Sequence, residues 1–299
     1  MNTMKIDARH DGDRPAPLRR SGAAAAVAAA MALAMVVGGC AAKSATPQTT
    51  AVPGEVHDTS LDRVKKAGVL LWGADVVGGI PYVYEDPQHK GQYTGFEMDI
   101  AKGIAASLGV RLQLVVKAWD TLIPELQRGS FDMAMNGIED TPERAQIVRF
   151  SEPYYIYSQQ ITVRRDTKGI ATLEDLKGKR VATLSGTAAE DILRSTPGVQ
   201  PVINPEIIYS YRDLADGKVD AVLLDKPIAV AYGATNPKLM NVGESFNEGR
   251  YVIVFRTEDR ALSEAVNAAI EQMKSSGELK KIYEKYGLMD VHQQRIQVL

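Results

Sequence analysis

Residues 119–155, WDTLIPELQRGSFDMAMNGIEDTPERAQIVRFSEPYY, carry the pattern from which the fold is worked out. A short amphipathic helix ends at Gly129, whose lack of a side chain suits a left-handed C-cap. An apolar strand over 131–135 follows, and a second helix starts at Thr141-Pro142, with Thr as N-cap and Pro at the first helical position. Arg144 in that first turn is electrically out of place. The free N–H groups of a helix start carry roughly +0.5 charge, so a guanidinium beside them calls for an anion. Its planar fork suits a carboxylate. A local salt bridge to Glu139, Asp140 or Glu143 is the competing explanation.

Outward from this stretch, the chain keeps one rhythm. The apolar run 69–72 ends in Gly73-Ala74-Asp75, as a buried parallel strand does where it meets a loop. The loop holds Gly78, Gly79, Pro81, Tyr82 and Tyr84. Ile100, Ile104 and Leu108 recur every four positions and Gly109 closes that helix; 110–116 is a second strand. Strand, helix, strand argues for an α/β domain with a mostly parallel sheet.

Past Tyr155, a strand at 160–164 leads into a second α/β sequence, with strand 180–184, the loop Ser185-Gly186-Thr187 and a helix. Thr187 with Glu190 three residues on makes a capping box, and another anion is the alternative occupant of that helix start. An internal echo follows. LQRGSFDMA at 126–134 is matched by LADGKVDAV at 214–222: helix end, glycine cap, then a strand entered through an aspartate. Five residues beyond those aspartates lie Gly137 and Asp225. The closing segment predicts a strand over 251–256, a helix with Leu262, Val266, Ile270 and Met273 on one face, and a last helix around Ile282 and Tyr286. It is expected to return to the first lobe, with crossings near 162–165 and 250–255 as a hinge.

Ligands of open parallel sheets bind beyond the carboxyl ends of the strands. Two lobes facing each other across those ends set Gly137, Glu139 and Arg144 opposite Thr187 and Asp225. One wall offers a cation and the other an anion, which a zwitterion satisfies.

The bulk numbers fit this plan. The chain has 299 residues, is 45% hydrophobic and 24% charged, and carries a net charge of -2, giving no electrostatic case for nucleic acid as a partner. Its one cysteine, Cys40, excludes an internal disulfide and a thiolate metal site, and its four histidines lie far apart. Neither metal nor cofactor is expected. Lys5, Arg9, Arg14, Arg19 and Arg20 precede an uncharged Ala-rich run to Gly39, the pattern of a secretory signal; a membrane helix is the rival. Val37-Gly38-Gly39-Cys40 resembles a bacterial lipobox, which implies a signal peptide over 1–39 and a lipidated Cys40. Residues 41–57 follow as an Ala-, Thr-, Ser- and Pro-rich tether holding the globular part at a membrane's outer face.

Taken in order, Gly95-Phe96-Glu97-Met98-Asp99, Trp119 with Leu122-Ile123-Pro124, Thr141-Pro142-Glu143-Arg144, Phe150-Ser151-Glu152-Pro153-Tyr154-Tyr155, Ser185-Gly186-Thr187 and Leu224-Asp225 before Pro227 resemble the extracytoplasmic solute-binding proteins of family 3, the receptors of polar amino-acid ABC transporters. The likeness covers roughly 59–287. It implies a two-lobed periplasmic-binding-protein type II fold, each lobe a mostly parallel sheet flanked by helices and joined by a two-strand hinge. The lobes are expected at 58–163 with 252–289 and at 164–251, with 290–299 as a C-terminal tail. By the same resemblance the protein is a monomer that delivers an amino acid to a permease and ATPase. Arg144 binds the ligand α-carboxylate with help from Gly137 and the backbone at Gly186 and Thr187. Asp225 takes the α-ammonium, Trp119 stacks on the side chain and Asp75 reaches its polar end. Their plainer roles are core packing for Trp119 and turn capping for Asp75 and Asp225.

Two departures bear on the ligand. Glu139 stands where the family usually has Ser or Thr; it either pairs with Arg144 or adds negative charge that favours a cationic ligand. Gly78-Gly79 replaces the usual aromatic wall, leaving a roomier slot unless Tyr82 or Tyr84 fills it. A cationic or amide side chain is the expectation. The alternatives are an enzyme such as a cyclohexadienyl dehydratase, with Glu139 as general acid, and an amino-acid-sensing lipoprotein.

Overall fold

The computed structural model describes residues 58–296 apart from Gly78; the leader, Cys40 and the tether lie outside the described residues. The first half runs α1 (Ser60–Ala67), β1 (Val69–Ala74), a short hairpin of β2 (Tyr84–Glu85) and β3 (Tyr93–Thr94), α2 (Phe96–Leu108), β4 (Arg111–Val116), α3 (Leu122–Gln127), β5 (Met133–Ala134), α4 (Pro142–Ala145) and β6 (Arg149–Phe150). The second half runs β7 (Tyr155–Arg164), β8 (Arg180–Leu184), α5 (Ala188–Ser195), β9 (Gln200–Asn204), α6 (Ile207–Ala215), β10 (Ala221–Asp225), α7 (Lys226–Ile228) and β11 (Leu239–Tyr251). It closes with β12 (Val254–Phe255), α8 (Arg260–Ser275), α9 (Glu278–Lys285) and α10 (Val291–Ile296).

These elements build two five-stranded sheets, ordered β4-β1-β5-β12-β6 and β11-β7-β10-β8-β9. Each has a parallel heart: β4, β1 and β5 in the first, β9, β8 and β10 in the second. The strands on either side of the crossings, β6, β7, β11 and β12, pair antiparallel, as chains passing between two sheets and returning must. One crossing lies between β11 and β12, at Val252 and Ile253. The other lies at 151–154 and not near 162–165, because the chain from Tyr155 onward already pairs with β10 and β11. The apolar run Tyr155–Arg164 is buried along nearly its whole length, which periodicity alone does not assign to one lobe or the other.

Helices cover the sheets as their spacing predicts. Ile100 and Ile104 of α2, and Leu262, Val266, Ile270 and Met273 of α8, are all buried, each worth roughly 1.5–3 kcal/mol of apolar transfer. The segment after Asp290, set apart in the sequence as a tail, contains α10. Gln293 is fully buried there and pairs with the backbone of Ile156 in β7, accepting from its N–H at 3.0 Å and donating to its carbonyl at 2.7 Å. Among the described residues no helix is long and apolar enough to cross a membrane.

The echo in sequence is an echo in structure. Gly129 and Gly217 adopt φ of 80° and 74° and donate to Leu126 and Leu214, closing the helices before them. Asp132 then grips β1 twice, its N–H on the Leu71 carbonyl at 2.9 Å and its carboxylate on the Leu71 N–H at 3.0 Å. Asp220 grips β8 the same way through Arg180, at 2.8 Å in both bonds.

Candidate functional site

A cleft opens between the two sheets at the carboxyl ends of their parallel strands. One wall carries Asp75 just beyond β1, Asn136, Gly137 and Glu139 just beyond β5, and Trp119 and Tyr82. The facing wall carries Leu184 and Thr187 at the end of β8, Glu206 and Ile207 at the start of α6, and Leu224 and Asp225 at the end of β10. Six of the expected residues, Asp75, Trp119, Gly137, Glu139, Thr187 and Asp225, are thus brought to one space. Arg144 and Gly186 line an adjoining recess that shares Trp119 with the cavity.

Arg144 sits where the sequence places it, in the first turn of α4, with the Thr141 hydroxyl accepting its backbone N–H at 3.3 Å. Its guanidinium meets an anion, and that anion is Glu139. Nη1 donates to Glu139 Oε2 at 2.5 Å and to the Glu139 carbonyl at 2.8 Å, while Nη2 donates across the cleft to the Gly186 carbonyl at 2.8 Å. The group also lies 5.3 Å from the Trp119 ring centroid, within cation–π range. The other carboxylate oxygen of Glu139 accepts the Ala188 N–H, the first amide of α5, at 3.0 Å. The local salt bridge and the helix-start anion site are therefore one arrangement, with the side chain of Glu139 only 2% exposed.

Thr187 caps α5 by accepting from Glu190 N at 3.3 Å. The return arm of the capping box is shifted by one residue, for the Glu190 carboxylate takes the Gly186 N–H at 2.7 Å. Gly186 holds φ at 72°, and a Cβ there would come to 3.1 Å from the Trp119 ring.

Asp75 is held by its own loop and by the turn after β4: its carboxylate accepts from Val77 N at 2.8 Å and Trp119 N at 3.1 Å. Burial, with repulsion from Glu206 and Asp120, raises its pKa against those hydrogen bonds. Trp119 donates its indole N–H to the Asn136 carbonyl at 3.1 Å, which fixes the ring at the cavity wall. The Gly137 N–H already goes to the Glu97 carboxylate at 2.7 Å. What the cavity takes from Gly137 is shape, since φ is 65° and a Cβ would press to 2.9 Å from the Tyr82 ring. Tyr82 supplies the aromatic wall that Gly79 does not, and Tyr84 lies away in β2.

Asp225 is 5% exposed and makes no salt bridge among the described residues, Arg144 attracting it only from beyond contact. Gln159 donates to Oδ1 at 2.7 Å and the Tyr251 hydroxyl donates to Oδ2, with Tyr82 OH 2.8 Å from Tyr251 OH. Burial first, then the negative charge of Glu139, pushes its pKa up. Beneath the same wall, fully buried Glu97 is pushed up to about 8 by desolvation. It accepts from Tyr154 OH at 2.5 Å and Gly137 N, while its second oxygen has no partner.

Asn136, Glu206, Gln159 and Tyr251 were not picked out from sequence, and Glu97 only as part of a motif. Glu97 had a signal: it lies three and seven residues before Ile100 and Ile104, on the buried stripe of α2. Gln159 and Gln160 interrupt an apolar strand, a second signal. Tyr251 had none.

The profile of the bacterial extracellular solute-binding proteins, family 3, matches residues 76–289. The L-cystine-binding protein TcyJ of Escherichia coli (strain K12) is 33% identical over 234 residues, 77% of this chain and 87% of TcyJ. A P235GK mutant of ArgBP from T. maritima superposes with a TM-score of 0.72 at 34% identity, covering 77% of this chain and 100% of that one. The ancestral amino acid-binding protein AncCDT-1, a precursor of cyclohexadienyl dehydratase, does so with a TM-score of 0.71 at 35% identity, covering 76% and 99%. Two mixed sheets facing each other across a cavity, and a family match over most of the described residues, lead to one conclusion: this chain belongs to the bacterial extracellular solute-binding proteins, family 3, and is a substrate-binding protein.

Proposed function

We propose that the protein is the receptor of an ABC transporter for a small cationic solute of the amino-acid class, closing its two lobes on the ligand and passing it to a permease. The observation that carries this is the charge of the cavity. Asp75, Glu206 and Asp225 line it, and no Lys, Arg or His is among the lining residues. Asp225 is buried with no salt-bridge partner and Asp75 and Glu206 are half-buried; burying an acid without a counter-ion is costly, and a cationic ligand relieves that cost. The names of the similar binding proteins, for cystine and for the ArgBP of T. maritima, support an amino-acid-like ligand. The bonds from Arg144 to Gly186 and from Ala188 to Glu139 join the two walls, as a closed state requires. The lobes comprise the two sheets with their helices, and the protein acts as a monomer tethered through Cys40 on the extracytoplasmic side.

Isothermal titration calorimetry against the polar amino acids and their amine relatives tests this reading. Binding of a cationic member is the expected outcome; no heat from any of them breaks it. One observation favours chemistry over binding, the raised pKa of Asp225 inside the cleft. Incubation with arogenate and prephenate decides that point, since turnover of either makes the chain an enzyme. With both oxygens of Glu139 bonded to Arg144 and Ala188, the general acid of the enzyme alternative is already engaged.

A further inference from the structure

We infer, on that reading of the cleft as a receptor site, that the ligand it prefers is a cationic amine without a free carboxylate, because Glu139 already fills the cleft's anion position. Two groups near the cavity are strong anion binders: the Arg144 guanidinium, and the N-terminal amide of α5 at Ala188, where the helix dipole adds to the N–H. Both converge on one carboxylate, and it belongs to the protein. Arg144 reaches Glu139 Oε2 at 2.5 Å and Ala188 reaches Oε1 at 3.0 Å. The second guanidinium nitrogen is taken by the Gly186 carbonyl. Glu139 is 1% exposed, and its backbone is bridged to Tyr251, so the carboxylate is fixed from both ends.

A ligand carboxylate entering this space meets an occupied guanidinium and a fixed like charge. To bind Arg144 it has to displace Glu139, leaving a second carboxylate buried beside it, and like charges brought together in a closed site cost affinity. An ammonium or guanidinium meets the opposite situation. Asp225 is buried with only neutral partners, Gln159 and Tyr251, and Asp75 and Glu206 line the same cavity. A cation also relieves the burial and the repulsion from Glu139 that hold the Asp225 carboxyl in its neutral form. Selectivity then comes from a repulsive element set against amino acids as much as from attraction to amines. The chemical class is a decarboxylated basic amino acid: an aliphatic chain with an ammonium at one end and a second cationic group at the other.

Calorimetry with matched pairs tests this, arginine against agmatine and lysine against cadaverine, on the full chain and on Glu139→Ser and Glu139→Gln. The wild type is expected to bind the amine of at least one pair roughly tenfold or more tighter than the amino acid, about 1.4 kcal/mol per tenfold. Glu139→Ser, which frees Arg144 and Ala188, is expected to reverse the order. Glu139→Gln removes the charge at constant shape, and narrows the gap without reversing it. Equal or tighter binding of the amino acids by the wild type overturns the inference and leaves the receptor reading intact. An amine preference that persists unchanged in both variants also overturns it, for then Glu139 is not its source. No binding of any pair member or any other polar amino acid overturns both.

Discussion

The two echoing segments share a framework and part company at their ends. In each, a left-handed glycine closes a helix, and an aspartate three residues on ties the new strand to its neighbour by one backbone and one side-chain bond, at 2.9 and 3.0 Å in one lobe and 2.8 Å twice in the other. Five residues later one copy offers Gly137, followed by Glu139, which pairs with Arg144; the other offers Asp225, buried with neutral partners alone. Residues that hold the strands and residues that make the cleft are thus separate sets. The first can be duplicated while the second specialises, so Glu139 has a counter-ion in Arg144 while Asp225 is hydrogen-bonded only by neutral groups.

The largest break in this contrast is Arg144→Ala. It leaves Glu139 buried without its counter-ion, and breaking a buried pair costs about 3–5 kcal/mol, read as a lowered urea midpoint. The Arg144→Ala, Glu139→Ala double variant is expected to regain most of that loss. A small loss in the single variant would mean that water reaches Glu139.

Asp225→Asn acts at the opposite wall with the opposite balance. Cation affinity is expected to fall about a hundredfold, close to 3 kcal/mol, while the unliganded protein melts no earlier, because an uncompensated buried acid has gone. The pH dependence carries the sign. With a pKa raised above the ordinary 3.8, the neutral form is the one that stabilises the fold, a contribution complete below that value and lost as pH rises through the raised one. Cation affinity climbs across the same window, and calorimetry on Asp225→Asn is expected to show no such climb.

Glu97 sharpens the comparison, being a buried acid on the same wall as the Glu139–Arg144 pair. Raised from 4.5 to about 8, its contribution is complete below 4.5 and lost as pH rises through about 8. Glu97→Gln is expected to flatten the stability profile over that window by on the order of 2 kcal/mol, measured by urea unfolding at stepped pH. Smallest is Gly186→Ala, where a side chain at φ of 72° costs about 1 kcal/mol and presses on Trp119. A few-fold weaker binding is expected, carried by slower closure in stopped-flow tryptophan fluorescence.

Much of the scaffold was legible because it follows local rules. Glycine caps, Thr141 and Thr187 as N-caps, and the buried stripes of α2 and α8 depend on residues a few positions apart. The first crossing was misplaced because a continuously apolar strand carries no mark of which sheet it joins. At the site, Arg144 and Asp225 stood out as charges in unusual places, and Glu139, five residues before Arg144, was within local reach as its partner; the other partners come from far along the chain. Tyr251 is 26 residues from Asp225 and Ala188 is 49 from Glu139, distances over which no periodicity extends.

From the residues alone follow two α/β lobes of common design and the list of polar groups near the strand ends, since these rest on short-range spacing and capping; the family followed from the resemblance of motifs spread along the chain. Which of those groups neutralise one another follows from packing. Whether Arg144 faces a ligand or Glu139, and whether Asp225 has a cation beside it, depends on which distant surfaces meet when the sheets are brought together. Burial then magnifies each such pairing, because a charge removed from water keeps only the partners the fold has placed around it.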